Sequence, residues 1–367
     1  MQDLLQVDAW ETIIAFDEVR MIPSRLTDII RGRKVIYITV KNADYIRTLQ
    51  FRRVLLECTL ESLVISSEKA GPISRVFDLR RRLRHIDLGY YDVIIVGFLP
   101  QLIWKYIRKK AGTSSPLFVA DFFLSLYDTI VLDRKYIGTG NPLSGYLESL
   151  DRKVLEEADY VLTDTKADAD FFESEILGYR RSDIEPFYLE AESSIYKASP
   201  EDEKTYLATE EAEYLQDKRT FEVLYFGTGL PLQGIDVVIE AYLILARKYE
   251  GRDIRMTYIG GLDDASQHIV ERYSCIDIMP WLSQEDLAAR IRRADLCLAG
   301  HFAYGDGKQD RTIPGKAFIY EAMNKKMILG DSIANHEIFT EDENHHFVRR
   351  GDSEALSKAI ETFGWKQ

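Results

Sequence analysis

The chain has 367 residues, of which 60 are acidic and 47 are basic, so its formal net charge is −13. A chain of this length is too long for one ordinary hydrophobic core and suits two domains. The excess of acidic side chains argues against a general nucleic-acid binder, because such proteins need a basic surface for phosphates. The longest apolar run, residues 93–104, is interrupted by Gly97, Pro100 and Gln101 and is too short to span a bilayer.

Neither a secretion signal nor a metal site is indicated. Residues 1–12 are polar and acidic, unlike the basic and then apolar pattern of a signal peptide, so we expect the protein to stay in the cytoplasm. The three cysteines stand singly in apolar segments, and the six histidines lack metal-ligand spacing; the pair His345-His346 is expected in a solvated loop or at a strand end. We therefore predict neither a disulfide framework nor a structural metal.

Residues 1–31 predict two short amphipathic helices ahead of the first strand. Their apolar residues recur at helical spacing: Trp10, Ile13, Ile14 and Phe16, then Leu26, Ile29 and Ile30. Two interpretations remain open, a helical extension packed on the first domain and an element that docks a protein partner.

The next part of the chain alternates apolar strands with helical segments. Predicted strands are residues 34–40, 63–66, 92–97, 117–121 and 159–165. Such alternation is typical of a parallel α/β sheet, which binds ligands beyond the carboxyl ends of its strands. Asp121 stands at one of those ends and is predicted either to be a site residue or to cap the following helix.

A basic cluster interrupts this acidic protein. It consists of Arg75, Arg80, Arg81, Arg82, Arg84 and His85. The cluster indicates either a solvated helix face or a contact with an anionic acceptor or lipid headgroups, which attract Lys and Arg side chains.

Residues 190–219 become acidic and lose strand character, which predicts a crossing between domains. Regular alternation then resumes. It predicts strands 221–226, 254–259 and 295–299, a helix 235–249, a helix from Ser283 to Arg293, and a final helix 353–363.

Two cations surround a predicted helix start near the end of the chain. Pro314-Gly315 indicates a turn, the residues after it a short helix, and residues 327–329 a buried strand. Backbone N–H groups at that helix start, with Arg311 and Lys316 beside them, predict a phosphate site.

This stretch resembles the donor-binding segment of family-4-like glycosyltransferases with the GT-B fold, in a subgroup with P-L-Q-G and I-P-x-K motifs. A second segment, residues 224–241, is similar to the strand, loop and helix that open the C-terminal domain of that subgroup. The resemblance implies two Rossmann-like α/β domains facing a central cleft. Following the helical extension 1–31, which periodicity predicts, it implies an acceptor domain 32–200, a donor domain 201–350, and a terminal helix in 351–367 that returns to the N-terminal domain.

The resemblance also implies the site residues. Catalytic roles fall on Asp121, Arg311 and Lys316, donor binding on Gly227, Thr228, Gly229, Gln233 and Glu321, and the acceptor side on Asn42, Tyr45 and Arg47. The implied reaction moves a sugar from a nucleotide-sugar donor to a glycan or lipid-linked acceptor, with retention of configuration and no metal or other cofactor. Peripheral contact with the inner membrane face stays open as one of the two interpretations of the basic cluster, and no nucleic-acid partner is expected.

One departure from the family pattern leaves an alternative open. The family glutamate that contacts the nucleoside ribose stands three residues after the lysine, where this chain has Ile319. Glu321 is the nearest carboxylate, and it is displaced by about 140° around the helix axis. The alternative function is therefore a catalytically silent glycosyltransferase-like partner or scaffold subunit.

Overall fold

Two six-stranded parallel sheets follow one another along the chain. The structure is a computed structural model that describes residues 22–112, 116–198, 220–250, 253–305 and 307–365. The first of the two predicted N-terminal helices and most of the predicted domain crossing lie outside these residues. The protein-partner interpretation of residues 1–31 therefore stays a prediction.

The first sheet has the strand order β2-β1-β3-β4-β5-β6. Its strands are β1 (Lys34–Thr39), β2 (Glu61–Ile65), β3 (Val93–Gly97), β4 (Leu117–Asp121), β5 (Tyr160–Thr163) and β6 (Ile184–Pro186). Its helices are α1 (Ser24–Ile30), α2 (Ile46–Cys58), α3 (Pro72–Leu83), α4 (Trp104–Ala111), α5 (Pro142–Glu157) and α6 (Lys166–Phe171). Wider helical turns follow at Asp128–Asp133 and Phe172–Leu177.

Burial on both faces explains the apolar composition of the central strands. All five residues of β3 are fully buried, and alternate residues enter two different apolar clusters. Ile94 and Val96 pack with α3, whereas Val93 and Ile95 pack with α1 and α2. Helices on both faces of a parallel sheet leave only the strand ends for ligands.

The second sheet has the strand order β12-β11-β10-β7-β8-β9. Its strands are β7 (Phe221–Phe226), β8 (Ile254–Ile259), β9 (Ile276–Met279), β10 (Leu296–Gly300), β11 (Met327–Gly330) and β12 (His345–Val348). Its helices are α7 (Ile235–Tyr249), α8 (Asp264–Val270), α9 (Gln284–Arg293), α10 (Lys308–Arg311), α11 (Gly315–Ala322) and α12 (Ser353–Ala359). One-turn helices occur at Leu88–Tyr90, Pro100–Leu102, Pro231–Gln233 and Asn335–Glu337, and a wider turn, Ile360–Trp365, continues α12.

Local signals placed several of these elements correctly. The bounds predicted for β7, α7 and β8 are confirmed, and Ser283 caps α9 by accepting a hydrogen bond from the N–H of Asp286 at 3.1 Å. Gly234, at φ 64°, joins the loop after β7 to α7, and a side chain there would overlap the backbone at Phe302 and Ala303. The end of β10 is thereby held against the loop after β7.

Two points of the sequence interpretation need correction, the terminal helix and two missed strands. The terminal helix does not return to the first domain: Leu356, Ile360 and Phe363 are buried in the apolar cluster of the second sheet with α7. The histidine pair lies at the start of strand β12, which is the strand-end position that the sequence allowed, and His345 is buried there. The short strands β6 and β9 are not predicted from the sequence.

The second predicted N-terminal helix is confirmed as α1, whose Leu26 and Ile30 are fully buried against the first sheet.

Candidate active site between the two domains

Lys316 is a buried cation at the carboxyl edge of the second sheet. It lies in the first turn of α11, and only 6% of its surface is exposed. Its Nζ lies 3.2 Å from Oε1 of Gln233 and 3.7 Å from the centre of the Tyr225 ring. Burial lowers the pKa of the Lys316 ammonium well below its usual value, because a charge is poorly solvated there.

The loop after β7 completes this group. Gln233 Oε1 also accepts a hydrogen bond from the Tyr225 hydroxyl at 2.6 Å, and Gln233 Nε2 donates one to the Thr228 hydroxyl at 3.3 Å. A Cβ at Gly227 would overlap the Gln233 side chain and lie 2.9 Å from the Lys316 Nζ. Gly227 is buried, whereas Thr228 and Gly229 are exposed. The predicted donor residues Gly227, Thr228, Gln233 and Lys316 are thus brought together.

No carboxylate of a described residue is paired with this lysine. Among the ion pairs between described residues, none includes Lys316. An unpaired buried ammonium is unfavourable, so the free energy of the site falls when an anion enters. We call Lys316, Gly227 and Gln233 the cation seat.

Arg311 has a different environment from the predicted one. Its guanidinium donates to Asp168 at 2.8 Å and to Asp128 at 2.7 Å, and it lies 3.6 Å from the centre of the Phe171 ring. All three partners belong to the first domain. The predicted phosphate contact is corrected accordingly, because in this arrangement the Asp128 and Asp168 carboxyl groups already occupy the donors of Arg311. The arginine instead joins the two domains.

Further contacts cross between the domains at the same place. The Thr165 hydroxyl donates to the carbonyl of Arg311. The Lys308 Nζ donates to the Thr129 hydroxyl at 2.8 Å. Glu337 accepts from the backbone N–H groups of Lys166 and Ala167, at 2.8 and 2.7 Å, and so caps the start of α6.

Glu321, predicted to bind the donor, instead contacts strand β12. Glu321 forms a hydrogen bond with His345 Nε2 at 2.7 Å, and about half of the Glu321 side chain is exposed. That hydrogen bond raises the pKa of His345. Ile319, on the same side of α11 as the family glutamate, is buried in an apolar cluster. The side of α11 that carries Ile319 therefore offers no carboxylate to a nucleoside.

The predicted catalytic Asp121 is sealed in the first domain. Its Oδ1 accepts from Arg47 Nε at 3.0 Å and from Arg47 Nη2 at 2.8 Å, and its Oδ2 accepts from the Tyr37 hydroxyl at 3.3 Å. Both members of the ion pair are fully buried. Arg47 also donates to the carbonyl of Phe187. Asp121 and Arg47 therefore hold α2 and the segment after β6 against the sheet and are not open to substrate.

The other acceptor-side residues lie in the loop after β1. Asn42 donates to the Asp44 carboxylate, and Tyr45 packs edge-on against Phe98 and Phe123. Lys41 Nζ lies 4.4 Å from the centre of the Tyr45 ring. Burial, with the nearby Asp164, raises the pKa of the Tyr45 hydroxyl, which stays neutral.

Asp164, directly after β5, is a carboxyl group that the sequence interpretation did not identify. It is 5% exposed, and no hydrogen bond between described residues involves its carboxylate. Burial raises the pKa of Asp164 to about 7, against the opposing effects of Arg47 and Lys308. A carboxyl that titrates near neutral pH at a strand end suits proton transfer. The strand-end rule that selected Asp121 applies equally to Asp164, which follows the next strand.

His301, directly after β10, is a second residue that the sequence did not suggest. It is 6% exposed, and its Nδ1 lies 3.4 Å from the Thr312 hydroxyl. Burial, with the cations Lys316, Lys308 and Arg350, lowers the pKa of His301 well below its usual value. A neutral imidazole beside the cation seat can form hydrogen bonds without adding to its positive charge.

A cleft of about 950 Å³ opens between the domains. Phe171 and Asp128 line it from the first domain, and Pro231, Tyr304 and Lys308 from the second. Lys316 and Gly227 do not line this cleft, but Pro231 and Leu232 connect it to Gln233 of the cation seat. A ligand on the seat could therefore extend along this loop into the cleft.

A metal cluster and a membrane-spanning helix are both absent from the described residues. No three His, Cys, Asp or Glu side chains among them are grouped so that they could hold a metal ion. No helix in this part of the chain is both long enough and apolar enough to cross a bilayer.

Solved structures share this architecture. HepE of Anabaena, in complex with UDP and glucose, matches with a TM-score of 0.58 and 14% identity over 90% of this chain and 89% of that one. Sucrose-phosphate synthase of Thermosynechococcus elongatus matches with a TM-score of 0.63 and 12% identity over 90% and 89%. A trehalose-phosphate synthase of Burkholderia xenovorans matches with a TM-score of 0.57 and 12% identity over 89% and 90%. No protein-family model and no curated protein matches the sequence.

These similarities cover both domains and establish the fold. The chain has the GT-B architecture, in which two parallel-sheet α/β domains follow one another, as the sequence predicted. The structures that share it include glycosyltransferases. At identities of 14% and below, the similarity fixes the fold and leaves the reaction to be argued from the site.

Proposed function

We propose that this protein is a glycosyltransferase that moves a sugar from a nucleotide-sugar donor to a glycan or lipid-linked acceptor. The observation that carries the proposal is the cation seat, where a buried ammonium without a carboxylate partner lies beside a glycine-containing loop. Its place at the carboxyl edge of the second sheet is where parallel α/β domains bind their ligands.

The seat suits the diphosphate of the donor. As the bond between sugar and phosphate breaks, negative charge grows on the leaving oxygen, and a fixed cation lowers the free energy of that state. Lys316 supplies the cation, and it lies in the first turn of α11, whose first backbone N–H groups have no partner within the helix. These groups act without a metal, and we propose a metal-independent reaction with retention of configuration.

We assign the acceptor to the first domain. Asp121 is fully paired with Arg47 and Tyr37, whereas the Asp164 carboxylate is unpaired among the described residues. With a pKa of about 7, Asp164 can accept a proton from an acceptor hydroxyl at neutral pH. Asp164 thus replaces Asp121 as the proposed acceptor-side group.

The test begins with thermal shift against nucleoside diphosphates and their sugars. Uridine nucleotides come first, because HepE of Anabaena is described in complex with UDP and with UDP-glucose. A ligand at a hundredfold excess over its Kd stabilises the folded state by about 2.7 kcal/mol. That corresponds to roughly 5–11 °C for domains of 150–250 residues.

Turnover then separates the two functions that the sequence left open. Hydrolysis or transfer of the stabilising donor, lost in Lys316→Met and retained in the distant control Lys358→Met, supports the enzyme. A nucleotide that binds without turnover supports the silent subunit, which Ile319 in place of the family glutamate favours. Stabilisation by no nucleotide at millimolar concentration contradicts the donor site itself.

A further inference from the structure

Helix α3 carries large apolar side chains on its solvent side. Asp78, Leu79 and Leu83 are buried towards the sheet. Ile73 and Phe77, by contrast, are 73% and 66% exposed. They are four residues apart and therefore lie on one helical face.

Arginines follow Ile73 and Phe77 along the same exposed face of α3. Arg80 and Arg84 follow Phe77 at spacings of three and seven residues, which keeps them on its side of the helix. Helix α4 lies alongside: the Tyr106 hydroxyl donates to the carbonyl of Arg80 at 3.3 Å, and Lys110 Nζ to that of Arg84 at 3.4 Å. The basic ends of the two helices therefore form one surface.

This surface is positively charged, whereas the protein as a whole carries a net negative charge. The two helices and their ends carry Arg75, Arg80, Arg81, Arg82, Arg84, Lys105, Arg108, Lys109 and Lys110. Asp78 is the one carboxylate in 72–86 and 104–112, and it is buried and paired with Arg81 and Arg82. A local positive surface on a chain of net charge −13 is selective for anions that approach from this side.

Helix stability explains only part of this composition. Cations in the last turn of a helix interact favourably with its dipole, and both α3 and α4 end in basic residues. That effect gives no reason for Ile73 and Phe77 to face water. An apolar pair beside a row of arginines is the composition of a helix that lies in a membrane interface.

We propose that α3 and α4 form a surface that binds an anionic lipid bilayer. The arginines and lysines contact headgroup phosphates, and Ile73 and Phe77 enter the boundary between headgroups and acyl chains. Arg75 donates to the carbonyl of Val40 at 2.9 Å, so the start of α3 adjoins the loop that carries Asn42 and Tyr45. The bilayer would then lie next to the proposed acceptor side, although lipid binding does not depend on the transferase activity.

Vesicle sedimentation of the full chain tests this surface. Vesicles of phosphatidylcholine with 30% phosphatidylglycerol should bind the protein at low salt, and pure phosphatidylcholine should bind it far less. Because each cation near such a surface contributes roughly a fivefold change in partitioning, Arg80→Ala/Arg84→Ala should weaken binding by about 25-fold. Ile73→Ser/Phe77→Ser should weaken it at least tenfold, at unchanged charge.

Matched controls separate this site from general electrostatics. Arg272→Ala/Arg292→Ala removes two exposed arginines from the second domain and should leave binding unchanged. Melting curves confirm that each variant is folded. Equal loss in the control pair contradicts a specific surface, and so does no binding to anionic vesicles. Unchanged binding of Ile73→Ser/Phe77→Ser together with loss in Arg80→Ala/Arg84→Ala would also overturn the proposal, because binding would then be purely electrostatic and the apolar pair would not enter the bilayer.

Discussion

Two buried cations, one in each domain, have opposite surroundings. Arg47 lies beneath the edge of the first sheet, where Asp121 and the carbonyl of Phe187 occupy its donors. Lys316 lies at the edge of the second sheet, where Gln233 and the Tyr225 ring are its neighbours and no carboxylate in the described part of the chain is paired with it. A charge paired within the core holds the fold together, whereas a charge left unpaired is available to a ligand.

The first prediction concerns the paired cation and has the largest effect. Arg47→Met leaves Asp121 buried without its partner, which should cost about 3–5 kcal/mol of the free energy of unfolding. The melting temperature should fall by roughly 6–20 °C. Arg53→Met, on the same helix, breaks a partly exposed pair with Glu190 and should cost less than about 1 kcal/mol. Equal losses in the two variants would show that the Arg47 pair does not hold the first domain.

The second prediction extends the comparison to the unpaired carboxyl Asp164. Its pKa of about 7 in the folded state lies above the ordinary value of 3.8, so folding favours the protonated form. The stabilisation that protonated Asp164 gives to the folded state is fully present below pH 4 and is lost as the pH rises through 7. About three pKa units at 1.36 kcal/mol each set an upper bound of about 4 kcal/mol.

Chemical unfolding of wild type and Asp164→Asn between pH 4 and pH 8 measures this loss. Wild type should lose stability relative to Asp164→Asn as the pH rises. The charged and titratable groups that face Asp164, namely Arg47, Lys308, Asp121, Glu337 and Asp168, are present in both proteins. Parallel pH profiles would mean that Asp164 is solvated and ionised throughout, which contradicts its proposed role in proton transfer.

The third prediction concerns the unpaired cation. Lys316→Met should weaken nucleoside diphosphate binding by about 1.5–3 kcal/mol, or roughly 10- to 150-fold, because a charge-assisted contact is lost. Its melting temperature without ligand should stay equal or rise, the reverse of Arg47→Met. Gly227→Ala, which places a methyl group against Gln233, should also weaken binding. A large fall in stability without a fall in affinity would assign Lys316 to the fold alone.

The fourth and smallest effect concerns Arg311. Arg311→Ala removes the contacts to Asp128 and Asp168 and should allow the domains to separate, seen as a larger radius of gyration in X-ray scattering. Nucleoside diphosphate affinity should change by about 1 kcal/mol or less. If affinity falls as much as in Lys316→Met while the radius stays constant, Arg311 binds phosphate in another domain arrangement, as the sequence first suggested.

Patterns among neighbouring residues were sufficient to predict the fold and part of the candidate site. Strand periodicity, the Ser283 cap and the run of residues 224–241 depend on near neighbours in the chain, and the predicted bounds of β7 and α7 are confirmed. Lys316 and Gln233 could be identified because their loops each form a recognisable local motif.

The remaining site residues depend on contacts between distant parts of the chain. Arg311 meets Asp128 and Asp168, which precede it by 183 and 143 residues, and no local pattern encodes such partners. The pairing of Asp121 with Arg47 likewise becomes visible only when α2 packs on the sheet. Strand-end position alone did not distinguish the paired carboxyl from the one without a partner among the described residues, because Asp121 ends β4 and Asp164 follows the neighbouring strand β5.

Calorimetric titration with a nucleotide sugar tests the central claim most directly. Because burial lowers the pKa of Lys316 and a bound diphosphate raises it again, binding should take up protons and weaken as the pH rises. Titrations with UDP-glucose, or with the donor that stabilises the protein most, in PIPES and in Tris at one pH give that uptake from the difference in heat. We predict proton uptake in wild type and none in Lys316→Arg, whose guanidinium is charged throughout. No binding of any donor, or the same proton uptake in wild type and Lys316→Arg, would contradict the claim that Lys316 binds the donor diphosphate.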